Sequence, residues 1–482
     1  PSLVGSEMCI RDRIRWIINM KGFPQLNAND TANIVFWHFL FRGDTVRVIP
    51  ETPKPLLAVI YGVLYDLRLL WFTEILKTAA FAFIPAFFFK IFYNEFKDVF
   101  YGIISAVVIF SLTFVLIKPD TMVPSLLYAT VLLFIALYFF LAGRGGLTSL
   151  FLLLAGLMRN DFWFFGGLYI LYSLVSWKKL DGATKRTFFL PIFSPFLWVL
   201  FDWKVGGSYN YSSQTVKYVS ELLKFTRAPL TFYLKMSGIL IWAATFKNLA
   251  LLALGILGTL FLSVKKNKLS WTLTLFFLFP FLEVFGLYPF EPPPLSARFF
   301  FPTFLLLYAL SPIGWKLLFE RLKITKGKYW ISISAVIVFG ATVIHTLKYY
   351  DRDYLSVLKL RNFSLFTCSK YAGDHGFDKY EGIITHQGLS LVPVATGHWD
   401  AINRTYSLLE VRGLAYDFRD ARYAILALSD RPSREFIKLY APLLKEVFRS
   451  PGGVSRIYLI APRKGTGSEK SEEEKRGGSE NN

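Results

Sequence analysis

Cysteine is almost absent from this chain of 482 residues, which contains only Cys9 and Cys368. Two cysteines cannot build the disulfide framework of a small secreted domain or a cysteine-based zinc site. The sequence also lacks an HExxH motif, a GxxxxGK(S/T) phosphate loop and a GxSxG turn. These absences disfavour a zinc protease, an ATP-driven pump and an α/β-hydrolase.

Charged residues are scarce, at 18% of the chain, whereas 54% is hydrophobic and 18% aromatic, including 49 phenylalanines. The mean hydropathy is +0.41. A soluble core cannot bury that much apolar surface, and a disordered chain has the opposite composition. The composition therefore predicts a helical membrane protein that crosses the bilayer several times.

Acidic residues are fewer than basic ones, 34 against 54, which gives a net charge of +20. In a soluble protein this excess would suggest nucleic acid as a partner. Here the basic residues collect in short loops between apolar runs, where they orient membrane helices and meet anionic headgroups. We therefore expect membrane lipids, and not nucleic acid, as partners.

The two ends of the chain differ from its middle. Residues 1–13 do not match the rest of the chain in pattern and are interpreted as a non-native leader. The short apolar run Ile14–Met20 is interpreted as the remainder of a first helix that has been lost. Residues 463–482 are polar and repetitive, which predicts a disordered tail.

Apolar runs of membrane-spanning length fill residues 14–349 and predict about ten transmembrane helices. They lie near 70–89, 99–117, 122–142, 146–158 continuing into 162–176, 187–203, 246–264, 270–288, 299–318 and 329–347. The dense basic loops 177–186, 265–268 and 316–328 are assigned to the inside. This orientation places the loop 27–69 and everything after 348 outside a multi-pass protein of the cell membrane.

The segment 350–462 is less apolar and carries turn signals, which predict a small extracytoplasmic α/β domain. EGIITHQ, YSLLEVRG, RYAILALS and SRIYLIAP are typical of strands. Residues 432–448 are predicted to form a helix with Pro432 in its first turn.

The predicted topology collects polar residues on the outer face. Asp30 or Thr31 can cap the helix beginning nearby, which is amphipathic and is expected to lie in the membrane interface. An extended proline-rich stretch comes after this helix. The candidate residues are Asp30, His38, Arg42, Lys54, Asp120, Arg159, Asp161, Asp202, Tyr209, Glu291 and Arg298.

Each candidate also has a structural interpretation. Asp30 can be only a helix cap, and His38 an ordinary interfacial residue. Arg42, Lys54 and Arg298 can be snorkelling side chains near span ends, while Arg159 and Asp161 can pair with each other. Their convergence on one face is what the structural interpretation explains poorly.

Such a cluster suits transfer from a lipid-linked phosphate donor at the membrane surface. Arginine and lysine can hold a phosphate whose charge grows as the sugar–phosphate bond breaks. A carboxylate can accept the proton of an attacking hydroxyl or amide. The lipid tail would lie among helices rich in phenylalanine and leucine.

Several motifs resemble the GT-C superfamily of membrane glycosyltransferases, and in particular its dolichyl-phosphate-mannose–protein mannosyltransferase and aminoarabinose-transferase type. NANDTANIVFWHFLFRGDTVRVIPETPKPLL is similar to that group's first outer loop. LMRNDFWFFGGLYILY, WVLFDWKVGGSYNYSSQT and LSARFFFPTFLLL are similar to shorter stretches of the group. The resemblance covers about residues 27–347.

The resemblance implies an inverting transferase that takes a sugar from a polyprenyl-phosphate carrier and passes it to a protein or lipid acceptor. Asp30 would be the catalytic base, and Asp120 the second acid of the outer loops. Lys54, Arg159, Arg298 and Arg42 would contact the donor phosphate. His38, Asp161, Asp202, Tyr209 and Glu291 are further substrate-binding candidates. This interpretation needs no cofactor and leaves the question of a divalent metal open.

The main alternative is a flippase or transporter of lipid-linked sugars or polysaccharide. Such proteins place ionisable groups near the middle of the bilayer, often on broken helices. A third possibility is a membrane scaffold without catalysis. A transferase would need a cavity open to the outer leaflet and to the outside, with Asp30 at the junction.

Overall fold

The computed structural model describes residues 28–49, 52–116, 124–222, 249–264, 301–324, 326–349, 364–377, 382–385, 391–408 and 421–461. The chain divides into two compact units, 1–356 and 357–482.

The described part of the N-terminal unit is helical, because its long apolar runs can satisfy their backbone polar groups only internally. Its helices are α1 (Ala28–Leu40), α2 (Pro55–Asp66), α3 (Phe72–Phe96), α4 (Val99–Leu116), α5 (Pro124–Leu141), α6 (Gly145–Met158), α7 (Trp163–Val175), α8 (Gly182–Thr187), α9 (Phe193–Gly206), α10 (Tyr211–Leu222), α11 (Leu249–Val264), α12 (Phe301–Arg321) and α13 (Gly327–Tyr349).

Within the described residues, three helical segments are long and apolar enough to cross a membrane. They are Ile75–Asn94, Pro124–Leu141 and Gly182–Gly206, the last of which combines α8, a 3₁₀ turn and α9. This supports a largely helical membrane protein. The number of about ten spans stays a prediction, and the predicted run 270–288 lies outside the described residues.

Helices α1 and α2 pack against each other as a hairpin. The six residues from Thr31 to Phe36 are each at most 2% exposed, so this half of α1 has no solvent-exposed face. The predicted interfacial helix is therefore wrong for this half, because a helix that is buried all round belongs to a core. The helix includes Ala28, so the prediction that Asp30 or Thr31 caps it is also wrong.

Helix α2 begins inside the stretch predicted to be extended. Pro55 occupies the first turn, where its missing N–H costs nothing, and Lys54 is the N-cap residue in extended conformation. The described residues 43–49, 52 and 53 are not helical, and the apolar residues after Lys54 belong to α2.

Glycines allow α11 and α12 to approach closely. A Cβ atom on Gly255 would lie 2.1 Å from the carbonyl oxygen of Leu307, and one on Gly314 would lie 1.9 Å from that of Leu254. Small residues at a helix crossing let two backbones come into contact, which is a common basis of helix association in membranes.

The described part of the C-terminal unit contains a five-stranded sheet with the order β2-β1-β3-β5-β4. The strands are β1 (Gly382–Thr385), β2 (Thr405–Ser407), β3 (Ala421–Ala427), β4 (Leu444–Arg449) and β5 (Ser455–Ile460). β1, β2 and β3 run parallel, whereas β5 is antiparallel to β3 and to β4.

Both faces of this sheet are covered. Ile383 and Ile425 belong to a core cluster on one face, and the neighbouring Ile384 and Leu426 belong to a cluster on the other. Such burial explains why all four residues of β1 are buried and do not alternate between buried and exposed. The predicted strands are confirmed at β1, β3 and β5, and at β2 for its first residues.

The predicted helix 432–448 is correct only in its first half. The first helix of this unit given a label, α14, covers Leu391–Thr396. The next, α15, covers Arg431–Tyr440, whereas residues 444–449 form β4. Pro442 cannot donate a backbone hydrogen bond and stops the helix. The residues after this proline pair with β5 as the edge strand of the sheet.

The α1–α2 hairpin makes a prediction about stability. A Cβ atom on Gly62 would lie 2.0 Å from Cγ of Trp37. We expect Gly62→Ala to lower the thermal midpoint in detergent, because the indole must move to accommodate the methyl group.

Gly167 in α7 is a matched control, because nothing lies within 4 Å of its hypothetical Cβ. Gly167→Ala should leave the midpoint unchanged or raise it, by up to about 1 kcal/mol of stability, since alanine favours helix. Equal midpoints for the two variants would contradict the described contact between Gly62 and Trp37.

Candidate functional site

A buried hydrogen bond joins the two helices of the hairpin. The backbone N–H of Lys54 donates to Oδ1 of Asn33 at 2.9 Å. Asn33 is 0% exposed and Lys54 only 7%. The Nζ atom of Lys54 donates to the carbonyl oxygen of Thr52 at 3.2 Å. The ammonium group is therefore held inside the loop between the helices and does not extend into solvent.

Asp30 lies in the first turn of α1. It is three residues before Asn33, and positions three apart occupy the same face of a helix. The hydrogen bond between Asn33 and Lys54 therefore brings the N-terminal end of α2 to the helix face on which residue 30 is placed. Two of the predicted site residues thus belong to one small region of the hairpin.

His38 and Arg42 lie toward the other end of α1, and each faces a carboxylate. Nε2 of His38 is 3.4 Å from Oδ1 of Asp66, whose other oxygen accepts a hydrogen bond from Nε1 of Trp37 at 2.8 Å. Arg42 pairs with Asp44 through two hydrogen bonds of 2.7 and 2.9 Å. These contacts give both residues structural partners within the hairpin and its loop.

The pKa of His38 reflects this environment. Burial lowers the pKa below its usual value, the Asp66 carboxylate raises it, and the Arg42 guanidinium lowers it further. The net shift is downward, so the folded chain holds His38 neutral over a wider pH range than the unfolded chain does.

The loop after α1 is joined to the junction between α9 and α10. The N–H of Val46 donates to the carbonyl oxygen of Val205 at 2.9 Å. The Tyr211 hydroxyl donates to the carbonyl oxygen of Arg47 at 2.8 Å. Gly207 ends α9 with a φ of 70°, in the left-handed region that favours glycine.

Asp202 is 3% exposed, and its carboxylate contacts the start of α10. Its two oxygens accept hydrogen bonds of 2.9 Å from the N–H and from the hydroxyl of Ser212. Nε1 of Trp198 donates to the same hydroxyl at 3.0 Å. Asp202 therefore caps the N-terminus of α10 from the preceding helix, which is a structural role. Tyr209, in the connecting turn, is 72% exposed.

Arg159 and Asp161 form an ion pair at the break between α6 and α7. Nε of Arg159 lies 2.9 Å from each carboxylate oxygen, and Nη2 contacts Oδ2 as well. Their side chains are only 11% and 8% exposed. The carboxylate thus compensates the guanidinium charge where the two apolar helices meet, as the structural interpretation proposes.

These elements lie against one another. α2 contacts α6, and α9 contacts α1, α2 and α6. Four helices that pack into one core therefore carry the described candidates, within them or at their ends. These candidates are residue 30, His38, Arg42, Lys54, Arg159, Asp161 and Asp202. Asp120, Glu291 and Arg298 lie outside the described residues, as does the side chain of Asp30.

A groove of about 340 Å³ opens beside α9. It is lined by Leu40, Leu197, Leu200, Phe201, Trp203 and Lys204. Leu40 is at the opposite end of α1 from Asp30, so this groove is not the cavity expected with Asp30 at its junction. Its lining is apolar apart from Lys204.

Three residues that hold the region together were not among the sequence candidates. Asn33 accepts a hydrogen bond from the start of α2, and Asp66 contacts His38 and Trp37. Ser212 donates two hydrogen bonds to Asp202. The spacing of Asn33 from Asp30, one helical turn on an otherwise apolar helix, is a signal that could have identified Asn33. Nothing comparable in the sequence marks Asp66 or Ser212.

No group of three or more His, Cys, Asp or Glu side chains that could hold a metal is present in the described ranges. A scan against protein-family models finds no match, and a search of curated proteins finds no significantly similar sequence. Any function assigned to the chain therefore rests on its residues and their geometry.

The lowered pKa of His38 makes a prediction about pH. Between the folded-state pKa and about 6.5, the unfolded chain binds a proton that the folded chain does not. Stability should therefore fall as the pH is lowered through about 6.5, and His38→Gln should remove this part of the fall. Thermal midpoints measured in detergent from pH 8 to pH 5 provide the test.

Asp66→Asn is the informative partner variant. Its amide oxygen can still accept the Trp37 hydrogen bond, but the charge that raises the His38 pKa is gone. The fall in stability should then extend to lower pH than in the unchanged chain. A shallower fall, or a His38→Gln profile equal to that of the unchanged chain, would contradict the assigned environment.

The pair Arg159–Asp161 makes a second prediction. Arg159→Met leaves a nearly buried carboxylate without its partner and should cost about 3 kcal/mol. The double variant Arg159→Met/Asp161→Leu removes both charges and should recover most of the lost thermal stability. If the double variant is as unstable as the single one, charge compensation is not what the pair provides.

Proposed function

We propose that the chain is a glycosyltransferase of the GT-C type, located in the cell membrane with its C-terminal domain outside. It would move a sugar from a polyprenyl-phosphate donor to a protein or lipid acceptor on the outer face. The observation that carries this proposal is the buried hydrogen bond between Asn33 and Lys54. It joins Lys54, at the start of α2, to α1, where Asp30 lies one helical turn before Asn33.

In the proposed reaction Asp30 is the general base. Its carboxylate takes the proton of the acceptor hydroxyl or amide while that group attacks the anomeric carbon of the sugar. The bond between the anomeric carbon and the phosphate oxygen breaks, and polyprenyl phosphate leaves with the bonding electrons. Attack from the face opposite the phosphate inverts the anomeric centre.

Cationic side chains have the complementary role. Negative charge grows on the departing phosphate, so ammonium and guanidinium groups stabilise the transition state more than the ground state. Lys54 is proposed first, because its backbone is bonded to Asn33, one helical turn from residue 30. Arg159 and Arg298 are further candidates. Asp120 is proposed as a second acid. The mechanism assigns no step to a metal.

Access for the donor is supported by the composition of the helices around this region. Apolar segments of spanning length provide a hydrophobic environment for the prenyl chain. The end of the hairpin that carries Asp30 and Lys54 would bind the phosphate and the sugar. The lipid tail would then stay in the bilayer while the headgroup reaches Asp30.

The test is Asp30→Asn in the full chain, assayed with a panel of polyprenyl-phosphate sugars. General base catalysis contributes about 10²–10⁴-fold, so turnover should fall by at least about 100-fold. Asp66→Asn on the same hairpin is the matched control and should keep its turnover. Unchanged turnover in Asp30→Asn would remove Asp30 from its role.

One observation favours the alternative of a flippase or transporter. The pair Arg159–Asp161 is nearly buried and interrupts what would otherwise be one apolar helix, which is a feature of transporter sites. Vesicles containing the protein and a fluorescent lipid-linked sugar separate the two functions. Movement of the lipid between leaflets without transfer of its sugar would favour the transporter.

A further inference from the structure

A cluster of basic residues surrounds the ends of three helices, α5, α6 and α8. We define this basic surface by Arg144, Lys178, Lys179, Lys185 and Arg186. Arg144 immediately precedes α6, and the other four belong to the connection that leads from α7 through α8. The residues come from two separate loops, so their proximity depends on how those loops are packed.

A close contact joins the two loops. A Cβ atom on Gly145 would lie 2.2 Å from Oγ1 of Thr184, so only glycine permits this approach. The Tyr169 hydroxyl donates to the carbonyl oxygen of Gly145 at 3.0 Å. Arg144 adjoins Gly145 in the chain and Lys185 adjoins Thr184, so the backbone segments that carry the basic residues lie close together.

The charge of the basic surface is not compensated within the described residues. Arg144, Lys178, Lys179 and Arg186 are exposed, and none forms an ion pair with any described residue. The nearby acid Asp181 is used as a helix cap, since its carboxylate accepts from the N–H groups of Ala183 and Thr184 at 3.1 and 3.3 Å.

Two basic residues elsewhere in the N-terminal unit are paired with acids. Nζ of Lys328 lies 2.7 Å from Oδ2 of Asp98, and Nζ of Lys316 lies 3.8 Å from Oε1 of Glu320. The hydrogen bond with Lys328 lowers the pKa of the exposed Asp98 carboxyl. Lys316 and Lys328 therefore differ from Arg144, Lys178, Lys179 and Arg186, which form no ion pair with a described residue.

The basic surface lies where the apolar segments end. The spanning segment Pro124–Leu141 stops just before Arg144, and the segment Gly182–Gly206 begins within the surface. Trp177 and Phe189, beside it, are 42% and 41% exposed. Nζ of Lys185 lies 5.6 Å from the centre of the Trp177 ring. Exposed aromatic rings next to lysines are typical of the membrane–water interface.

We propose that the basic surface is a binding site for the headgroups of anionic phospholipids. Uncompensated lysine and arginine side chains at the level of the headgroups attract anionic lipid, with an effect of about fivefold in affinity per charge. The flanking aromatic rings and the apolar face of α9 would contact the acyl chains. This site is separate from the proposed transfer of sugar and does not depend on it.

The test measures bound lipid in the purified full chain by native mass spectrometry. The protein is titrated with phosphatidylglycerol and, in parallel, with phosphatidylcholine. We expect a preference for phosphatidylglycerol that decreases with added salt. The triple variant Lys178→Gln/Lys179→Gln/Arg186→Gln should lose affinity for phosphatidylglycerol by about a hundredfold. Lys185 is left unchanged because it contacts Trp177.

A variant with the same change of charge is the control. Lys370→Gln/Lys438→Gln/Lys445→Gln removes three exposed lysines from the C-terminal unit. It should bind phosphatidylglycerol as the unchanged chain does. An equal loss in both triple variants, or no preference for phosphatidylglycerol in the unchanged chain, would overturn the proposal.

A smaller change keeps the test valid if the triple variant is unstable. The double variant Lys178→Gln/Lys179→Gln alters two side chains that contact no acid among the described residues. It should weaken phosphatidylglycerol binding by about 25-fold, from two charges at about fivefold each. Affinity equal to that of the unchanged chain would overturn the proposal.

Discussion

The hydrogen bond between the Lys54 backbone and the Asn33 side chain is the constraint on which the described N-terminal region depends. An amide buried on an apolar helix is costly unless its polar atoms are satisfied, so α2 must begin where it can donate to Asn33. This fixes the length of the intervening loop. The loop in turn reaches α9 and α10 through Val46 and Arg47, which links the hairpin to the rest of the helical core.

The same rule governs the other ionisable groups in this region. Asp202 is buried only because the start of α10 supplies donors, and Arg159 is nearly buried only because Asp161 accompanies it. Charges in apolar surroundings are tolerated in such arrangements and are destabilising alone. A group with a complete set of partners is a weak candidate for binding substrate. The proposed chemistry is assigned mainly to Asp30 and Lys54 because the hydrogen bond between Asn33 and Lys54 joins the two elements that carry them.

The sequence predicts the helical class of the chain and most of the sheet strands, because composition and apolar patterns report burial directly. It does not predict that residues 31–36 of α1 are buried on every side, since this depends on which helices surround them. The strand β4 is missed because Leu444–Arg449 has no clear alternation and becomes a strand by pairing with β5. At the site, polar residue types identify candidates such as Arg159, but only the fold distinguishes a residue with a structural partner from one available to a ligand.

The glycine contacts between α11 and α12 limit where a lipid substrate could enter the protein from the side. With Gly255 and Gly314 in contact with backbone atoms of the opposite helix, the two helices meet as a closed seam at these positions. A branched isoprenoid chain is wider than this spacing and cannot slip between them there. A lateral entrance for a lipid substrate would therefore have to open away from these positions.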